Sequence, residues 1–305
     1  MSREIFVREA RREDKDAVLS FCSKTWEWGD YIPYVWDKWL NDPKTKVFVG
    51  LINDKPVGIT CIRQLKPKEF WLSGARTHPE YRRKGVITAI TMKCLEYAKE
   101  KEAKTVRLVT ESTNIPAQKA LEKFGFKPAT TFLEMKKEEL SQQVNFHAQW
   151  AEKENLNEIW KFLEKSECFN KCSRLYTKLF TWISLEKQDL KQFLENQKTI
   201  IFKEKKEIAG ITLIDDEVKS EWQENAIQTC YIDGNPKAIT NMIKFLENHC
   251  IKNAVTKIFA YTPDYKFIPT LLQQNGFKWD KTKLIIYEKQ ISQKLPIHPN
   301  SSPHP

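Results

Sequence analysis

A short basic turn between a predicted strand and a predicted helix is the part of the sequence best suited to chemistry. Within residues 77–88 (THPEYRRKGVIT), three consecutive cations and a glycine precede the first turn of an amphipathic helix. The first backbone N–H groups of a helix have no intrahelical acceptor, and the helix dipole adds partial positive charge there. The pattern predicts a binding site for an anion such as a pyrophosphate. The candidate residues are Arg82, Arg83, Lys84, Gly85, Val86, Ile87 and Thr88.

This turn lies within an alternation of predicted strands and helices. Alternating or continuous short apolar patterns predict strands, and apolar residues three and four apart predict helices. The order within the first 140 residues is β-α-α-β-β-β-α-β-α-β, which indicates an α/β (α+β) fold with a mixed, mostly antiparallel sheet flanked by helices. The predicted strands are Ile5–Glu9, Val47–Ile52, Pro56–Arg63, Glu69–Thr77, Val106–Val109 and Phe132–Met135, and the predicted helices run through Ala17–Cys22, Trp36–Leu40, Val86–Lys101 and Ile115–Phe124.

The helix after the next strand begins at an asparagine and is stopped by a glycine. Asn114 stands at its N-cap, and Gly125 occupies the position where helices favour a left-handed residue. A strand, an R-x-x-G turn at Arg82 and Gly85, a long helix, a strand and this Asn-initiated helix, in this order, resemble the GCN5-related N-acetyltransferase (GNAT) family. The resemblance covers residues 3–136.

The resemblance implies an enzyme that binds acetyl-CoA, without a metal, and transfers the acetyl group directly to an amine. In that family the R-x-x-G turn holds the pyrophosphate of the cofactor. The asparagine matched by Asn114 lies beside the pantetheine arm, and backbone groups of Ala75, Arg76 and Thr77 would face the same arm.

Two departures from the family pattern bear on catalysis. Ile87 replaces a small residue, and its side chain either crowds the phosphate or points into the core. Leu121 stands where the family often has a tyrosine that protonates the departing thiolate. Because an ordinary thiol has a pKa of about 8.5, thiolate is a tolerable leaving group. Loss of a general acid, which contributes roughly 10²–10⁴-fold, therefore slows the reaction without forbidding it.

The acceptor ammonium must lose a proton before it attacks, so a carboxylate base is expected. Glu69 begins the strand that leads to the basic turn, and Glu111 precedes Asn114 by three residues. These two glutamates are the candidate catalytic residues, although each can also be read as a solvated surface carboxylate.

The segment between the first two helices, residues 26–33 (WEWGDYIP), is aromatic and acidic, which suits a cationic or aromatic amine. In the GNAT family this segment lines the acceptor pocket, so Trp28, Asp30 and Tyr31 are the candidate substrate-binding residues. The pattern Tyr31-Ile-Pro33 followed by Trp39-Leu40-x-Asp42 also resembles the branch that contains histidine N-acetyltransferase. The expected function is N-acetylation of a small-molecule amine or amino acid. The alternatives are a protein N-acetyltransferase acting on an N-terminus or a lysine, and a non-catalytic CoA-binding regulator.

Three segments of the first half recur in the second half, in the same order and at offsets of 154, 152 and 151 residues. This spacing predicts two tandem GNAT-like domains, 1–140 and 141–292, followed by a disordered tail at 293–305. Near residues 233–237 the second domain lacks the basic turn, so we expect it to be degenerate. The matching segments are Lys44–Phe48 with Lys198–Phe202, Val57–Thr60 with Ala209–Thr212, and Gly125–Lys127 with Gly276–Lys278.

The charge and the cysteines bound the remaining possibilities. The 305 residues carry 50 Lys+Arg and 40 Asp+Glu, a net charge of +10, of which residues 1–140 contribute 27 − 20 = +7. A concentrated excess of this kind suits a CoA site and weighs against a nucleic-acid partner. The N-terminus is charged, no apolar run reaches the roughly 18 residues of a membrane span, and the seven cysteines include no C-x-x-C pair. We therefore expect a reduced, cytoplasmic protein, a monomer or a homodimer, without membrane contact.

Overall fold

Each strand and helix predicted for the first 140 residues is present in the structure, a computed structural model that describes residues 4–23, 29–217 and 225–292. By internal contacts the chain divides into two units. Unit 1 comprises Met1–Arg107 and Lys289–Pro305, and unit 2 comprises Leu108–Glu288.

The elements of unit 1 follow the predicted order. They are β1 (Phe6–Glu9), α1 (Lys15–Cys22), α2 (Ile32–Asn41), β2 (Thr45–Ile52), β3 (Lys55–Lys66), β4 (Glu69–Thr77), α3 (Val86–Glu100) and the start of β5 (Thr105–Glu111).

The sheet of unit 1 has the order β1-β2-β3-β4-β5. Its first four strands pair antiparallel, while β4 and β5 pair parallel. The β2–β3 hairpin turns at Asn53 and Asp54, with φ values of 51° and 59°. Both residue types tolerate this left-handed conformation, which matches the twist of the flanking strands. The predicted strands Val47–Ile52 and Pro56–Arg63 are therefore present and form a hairpin.

Helices α1 and α2 bury their apolar stripes against one face of this sheet. Phe21 and Trp36 pack there with Val49 and Ile59 of β2 and β3. Because side chains alternate along a strand, Gly50, the neighbour of Val49, faces the opposite side. That side is occupied by α3.

The start of α3 packs on a pair of glycines. Gly50 of β2 and Gly58 of β3 stand opposite each other in the antiparallel ladder. A Cβ atom added at Gly58 would lie 2.5 Å from Cγ1 of Val86, and one added at Gly50 would lie 3.0 Å from the same atom. The first residue of α3 therefore reaches the backbone of the sheet at a point where only glycine leaves room.

Unit 2 repeats this arrangement of elements. It contains the end of β5, α4 (Ile115–Lys123), β6 (Lys127–Lys137), β7 (Gln149–Trp150), α5 (Leu156–Lys165), α6 (Glu167–Lys171), β8 (Leu175–Lys178), β9 (Thr181–Ser184), α7 (Lys187–Glu195), β10 (Thr199–Glu204), β11 (Glu207–Asp215), β12 (Ala226–Gly234), α8 (Pro236–Lys252), β13 (Lys257–Pro263), α9 (Ile268–Gln274) and β14 (Lys278–Gln290).

The main sheet of unit 2 has the order β14-β6-β13-β12-β11-β10-β7, and β8 and β9 form a separate hairpin. The β12–β13 pair is parallel, as is β4–β5 in unit 1. A Cβ added at Gly210 of β11 would lie 2.6 Å from Cβ of Ala238 in α8. The glycine of the recurring Gly-Ile-Thr segment thus has the same structural role in both halves, because it lets the first turn of a helix pack directly against the sheet.

The two units do not divide the chain at residue 140, where the repeat predicts a domain boundary. The strand β6 belongs to the first repeat by sequence, yet within unit 2 it pairs with β13 and β14. Residues 289–292 end the second repeat, yet within unit 1 the Ile291 N–H donates to the carbonyl of Lys104 at 2.8 Å. The boundaries of the sequence repeat and of the compact units therefore differ, because the units are defined by contacts between paired strands and not by the order of the strands in the chain. The limits 1–140 and 141–292 stay a prediction about the repeat, and the tail at 293–305 lies outside the described residues.

Within the described ranges, no helix is long and apolar enough to cross a membrane. All seven cysteines are buried free thiols.

Replacing Gly58 with alanine should destabilise the protein by about 1–3 kcal/mol, because the new methyl overlaps the Val86 side chain. Urea denaturation measures this change in the free energy of unfolding. The double variant Gly58→Ala with Val86→Ala should recover part of the loss, since the smaller side chain vacates the space. Purely additive effects of the two substitutions would show that the helix does not press on this glycine.

Candidate functional site

Residues 78–85 connect β4 to α3 and form a turn held by local hydrogen bonds. Nδ1 of His78 accepts a hydrogen bond from the N–H of Glu80 at 3.3 Å and so caps a short 3-10 turn. Further along, Arg83 and Gly85 adopt left-handed conformations with φ values of 62° and 85°. The glycine is suited to this conformation, and it turns the chain directly into α3.

The start of α3 presents free backbone amides. Gly85 is the N-cap and supplies no capping side chain, and the first helical hydrogen bond runs from the N–H of Ala89 to the carbonyl of Gly85 at 3.0 Å. The amides of residues 86–88 therefore precede the helical ladder and are available to an external acceptor. A Cβ added at Gly85 would find open space, with Cδ1 of Ile5 at 3.7 Å as its nearest neighbour.

Three cations surround these amides and are not compensated. Arg82, Arg83 and Lys84 are exposed, and within the described residues no carboxylate forms an ion pair with them. The Lys84 ammonium lies 4.9 Å from the centroid of the Tyr81 ring. The turn thus combines uncapped N–H groups with unpaired positive charge, which is the chemistry of a phosphate site.

The two residues after Gly85 differ in their packing. Val86 is buried and makes the contact with Gly50 and Gly58, while Ile87 is half-buried and Thr88 is exposed. The contact between the helix and the sheet therefore belongs to Val86.

The end of β4 that leads into this turn is irregular. In the ladder with β3, Cys61 pairs with Ser73 and Ile59 pairs with Arg76, so Gly74 and Ala75 together oppose one residue. Such a bulge bends a strand and redirects its backbone groups. The parallel ladder with β5 includes Glu69–Trp71, and β4 continues beyond it to Thr77. The predicted pantetheine-facing residues Ala75, Arg76 and Thr77 lie in this last stretch.

Asp30, predicted to bind the substrate, forms an ion pair with Arg76. Its carboxylate accepts from Nε of Arg76 at 2.6 Å and from Nη2 at 3.3 Å, and also from the N–H of Ile32 at 3.1 Å. The Asp30 side chain is fully buried and that of Arg76 is 13% exposed. Asp30 is therefore already neutralised, and the pair ties the segment before α2 to the bulge of β4.

Tyr31 lies beside this pair. The Arg76 guanidinium is 5.5 Å from the centroid of the Tyr31 ring, and the Trp39 ring meets the same ring edge-on at 6.0 Å. Burial raises the pKa of the Tyr31 hydroxyl to about 12, so it stays protonated near neutral pH. Trp28, the third predicted substrate residue, lies outside the described residues.

Glu69, a predicted base, is buried at the start of β4 and forms an ion pair with Arg107 of β5. The Glu69 carboxylate is thus already engaged by a buried guanidinium. This contact indicates that Glu69 joins β4 to β5 where their parallel ladder begins.

Glu111 and Asn114 lie in unit 2, at the end of β5 and the start of α4. Glu111 is exposed, and Thr113 donates to its carboxylate at 3.5 Å. Oδ1 of Asn114 accepts from the N–H of Ala117 at 3.3 Å, which confirms the predicted N-cap. Leu121, in the same helix, is half-buried.

The corresponding connection in unit 2 is much shorter. Asn235 alone separates β12 from α8, and its side chain caps the helix through the N–H of Ala238 at 2.8 Å. Just before it, the buried Asp233 accepts hydrogen bonds from Ser166 and Tyr231. The helix start of unit 2 is thus capped by a side chain and has no cationic turn, as its sequence predicts.

Glu134 is an ionisable residue that the sequence patterns do not single out. Glu134 of β6 is half-buried and accepts from the Tyr261 hydroxyl at 3.4 Å. Burial, together with the smaller effect of the Asp280 charge, raises the pKa of its carboxyl to about 7. The sequence feature that could have pointed to Glu134 is a single acidic residue within an otherwise apolar strand segment, Phe132-Leu-Glu-Met135.

Comparison with known proteins agrees with this geometry. Residues 10–126 match the model of the acetyltransferase (GNAT) family. No curated protein sequence matches the chain at a significant level.

Several solved structures share the fold. A GCN5-related N-acetyltransferase from Sphaerobacter thermophilus matches with a TM-score of 0.64 at 11% identity, covering 94% of this chain and 96% of that one. The glucosamine N-acetyltransferase region of a fungal multi-domain β-N-acetylglucosaminidase matches at 0.63 and 13% identity, covering 95% of this chain and 38% of that one. A tandem GNAT protein from the clavulanic acid biosynthesis pathway matches at 0.53 and 10% identity, covering 95% and 99%.

Residues 10–126, in the first half of the chain, are thus similar to the GNAT acetyltransferase family. The fold over nearly the whole length is similar to that of solved GNAT proteins, one of them a tandem GNAT protein.

Replacing Arg76 with methionine should destabilise the protein by about 3–5 kcal/mol, because the buried Asp30 carboxylate would lose its partner. Arg82→Met is the matched control, since Arg82 is an exposed arginine without an ion pair among the described residues, and it should unfold as the wild type does. Thermal and urea unfolding of both variants measure the difference. Equal stability of the two variants would show that the Asp30–Arg76 pair does not secure the segment before α2.

Proposed function

We propose that this protein transfers the acetyl group of acetyl-CoA to the primary amine of a small molecule or an amino acid. The observation that carries the proposal is the turn at residues 82–85, where uncompensated cations meet the uncapped start of α3. A nucleotide cofactor with a pyrophosphate supplies the charge that this turn lacks.

The residues at the turn fit the cofactor chemically. The amides of Val86, Ile87 and Thr88 can donate to phosphate oxygens. The guanidinium groups of Arg82 and Arg83 can each donate two parallel hydrogen bonds to two phosphate oxygens. Gly85 leaves the approach open because no side chain projects there. When bound, acetyl-CoA supplies an activated acyl group, and the protein supplies binding and orientation.

We assign the pantetheine arm to the end of β4 through backbone groups of Ala75, Arg76 and Thr77. For Asn114, in unit 2, a role beside the cofactor stays a prediction from the family resemblance. The Arg76 side chain is committed to Asp30, so its contribution to cofactor binding would come from its backbone. Glu111, which is exposed, remains a candidate base, whereas the ion pair with Arg107 weighs against Glu69.

A small acceptor is favoured by the rigid surroundings of the segment before α2. Tyr31 is held between Arg76 and Trp39, and the Asp30–Arg76 pair fixes the backbone beside it. Held aromatic side chains of this kind suit recognition of a small cationic or aromatic amine at low entropic cost.

Gly85→Glu tests the proposed cofactor site. The added carboxylate would stand among the phosphate-binding amides, and a like charge there costs several kcal/mol, so acetyl-CoA affinity should fall by at least about 100-fold. Isothermal titration calorimetry gives the dissociation constants. Gly85→Asn is the control, because asparagine tolerates the left-handed backbone and adds no charge. Unchanged affinity in Gly85→Glu would place the phosphate site elsewhere.

Turnover with different acceptors tests the substrate class. Release of free CoA thiol is followed with a panel of small amines and amino acids, and in parallel with peptides that carry a free N-terminus or lysine. We expect turnover with members of the first set. Turnover with peptides alone would establish a protein N-acetyltransferase, and acetyl-CoA binding without turnover on either set would establish a CoA-binding regulator.

A further inference from the structure

One end of β6, in unit 2, extends beyond its neighbour β13. The ladder between the two strands ends where Pro263 stands opposite Phe132, so residues 127–131 of β6 continue past it. On that side, no strand of the described chain continues the pairing. Just past the ladder, the N–H of Asp264 donates to the carbonyl of Thr131 at 3.0 Å. The strand edge beyond this bond is therefore open to other partners.

The turn after α6 lies beside this open edge. The Ser173 hydroxyl donates to the carbonyl of Ala129 at 3.0 Å, which ties the turn to β6. Ser173 and Arg174 both adopt left-handed conformations, with φ values of 57° and 56°. Because non-glycine residues rarely adopt this conformation, two in succession indicate a turn that is held in shape by its tertiary contacts.

The start of α6 is tied to the connection between β13 and α9. Glu167 accepts hydrogen bonds from the Tyr265 hydroxyl at 2.6 Å and from the Lys266 ammonium. The short helix is therefore anchored at both ends, at Glu167 to this connection and at Ser173 to β6. The three segments form walls that are fixed to one another by hydrogen bonds.

A cavity of about 230 Å³ remains between these walls, and it lies wholly within unit 2. We call it the β6-edge cavity. A cavity of about 150 Å³ holds a benzene molecule, so this one has room for a ligand of about nine non-hydrogen atoms. Its lining includes Thr130, Thr131, Lys171, Cys172, Asp264 and Tyr265.

The β6-edge cavity has one uncompensated positive charge. Lys171 is exposed, and no carboxylate of the described residues forms an ion pair with it. The hydrogen bond from Lys266 lowers the pKa of the Glu167 carboxyl most, and the charge of Lys171 contributes least. The other charges at the cavity thus cancel in pairs, Glu167 with Lys266 and Asp264 with Lys283. A ligand with a single negative charge completes the balance.

Neutral groups of the lining suit the same ligand. Thr130 and Thr131 are half-buried, and neither hydroxyl has a partner among the described residues. A hydroxyl can donate to a carboxylate oxygen, and the Lys171 ammonium can add a charge-assisted hydrogen bond. Pro263, which also lines the cavity, adds apolar surface for the body of the ligand.

Cys172 lines the cavity without being a nucleophile. Burial raises the pKa of its thiol to about 12, and the thiol donates to the carbonyl of Phe169 at 3.2 Å. Because the thiolate is the reactive form, this cysteine is inert near neutral pH. The cavity is therefore suited to reversible binding and not to covalent capture.

We propose that the β6-edge cavity binds a small monocarboxylate, whose carboxylate contacts Lys171 and the two threonine hydroxyls. The site is independent of the proposed function, because none of its residues is assigned to acetyl-CoA or to the acceptor amine. A phosphate dianion fits less well, since a single lysine leaves half of its charge unbalanced. A zwitterionic amino acid also fits less well, since the carboxylate of Asp264 already binds Lys283.

Matched acids and amides test the site on the wild-type protein. Isothermal titration calorimetry gives the Kd values of lactate and benzoate, and of lactamide and benzamide, which have nearly the same shapes without the charge. We expect at least one acid to bind with a Kd of about 1 mM or lower. Its amide should bind at least about 10-fold more weakly, because it lacks the charge-assisted hydrogen bond. Inorganic phosphate and alanine, titrated in parallel, should also bind more weakly than the acid.

Two variants locate the bound acid. Lys171→Gln removes the charge and should raise the Kd by about 10–100-fold, and Thr130→Val removes a hydroxyl and should raise it by about 2–10-fold. Lys161→Gln is the matched control, because Lys161 is an exposed lysine of α5 outside the lining of the cavity. It should bind the acid as the wild type does. Thermal unfolding without ligand shows whether each variant is folded.

Equal Kd values for an acid and its amide, or equal Kd values in Lys171→Gln and Lys161→Gln, would overturn the proposal. So would the failure of both acids to bind at about 10 mM, or tighter binding of phosphate or alanine. The comparison of acid with amide needs no variant, so it decides the question even if Lys171→Gln fails to fold. A protein that bound no acetyl-CoA would leave each of these outcomes unchanged, which separates a failure of the proposed function from a failure here.

Discussion

The contact between Val86 and the backbone of Gly58 is the constraint on which the candidate site depends. Gly58 touches the first residue of α3 and is also the register partner of Thr77, the last residue of β4. The His78 N–H donates to the carbonyl of Val57 at 2.9 Å. Both ends of the cationic turn are therefore anchored on the same two residues of β3. A larger residue at this point would separate the helix start from the strand end and open the turn.

The same constraint survives in unit 2 without the chemistry. Gly210 stands opposite Gly234 in the β11–β12 ladder and admits Ala238 of α8 just as Gly58 admits Val86. The connection has shrunk to Asn235, whose side chain caps the helix amides that the turn of unit 1 leaves free. Docking the helix is thus a requirement of the fold, while the length and charge of the connection are free to serve function.

Charge is distributed in unit 1 according to burial. The buried charges at the two ends of β4 are paired, Asp30 with Arg76 and Glu69 with Arg107, because an unpaired charge there would be very costly. The exposed cations of the turn have no carboxylate partner among the described residues. The three cations of this turn contribute to the net charge of +10, and the free helix amides beside them give a structural reason why they lack carboxylate partners. A phosphate ligand would supply the missing counter-charge.

Interactions between residues close in the chain made many of the strands and helices predictable from the sequence. Periodicity predicted the strands and helices, Asn114 marked the start of α4, and the cations before Gly85 marked the start of α3, because each of these signals depends on neighbouring residues. Tertiary structure decided the rest. Asp30 binds Arg76, which is 46 residues away in the chain, and Glu134 accepts a hydrogen bond from Tyr261, which is 127 residues away. No local sequence pattern therefore shows that Asp30 is neutralised or that the pKa of Glu134 is raised to about 7. Likewise, strand pairing places β6 in unit 2, because hydrogen bonds between strands join backbones that are distant in the chain.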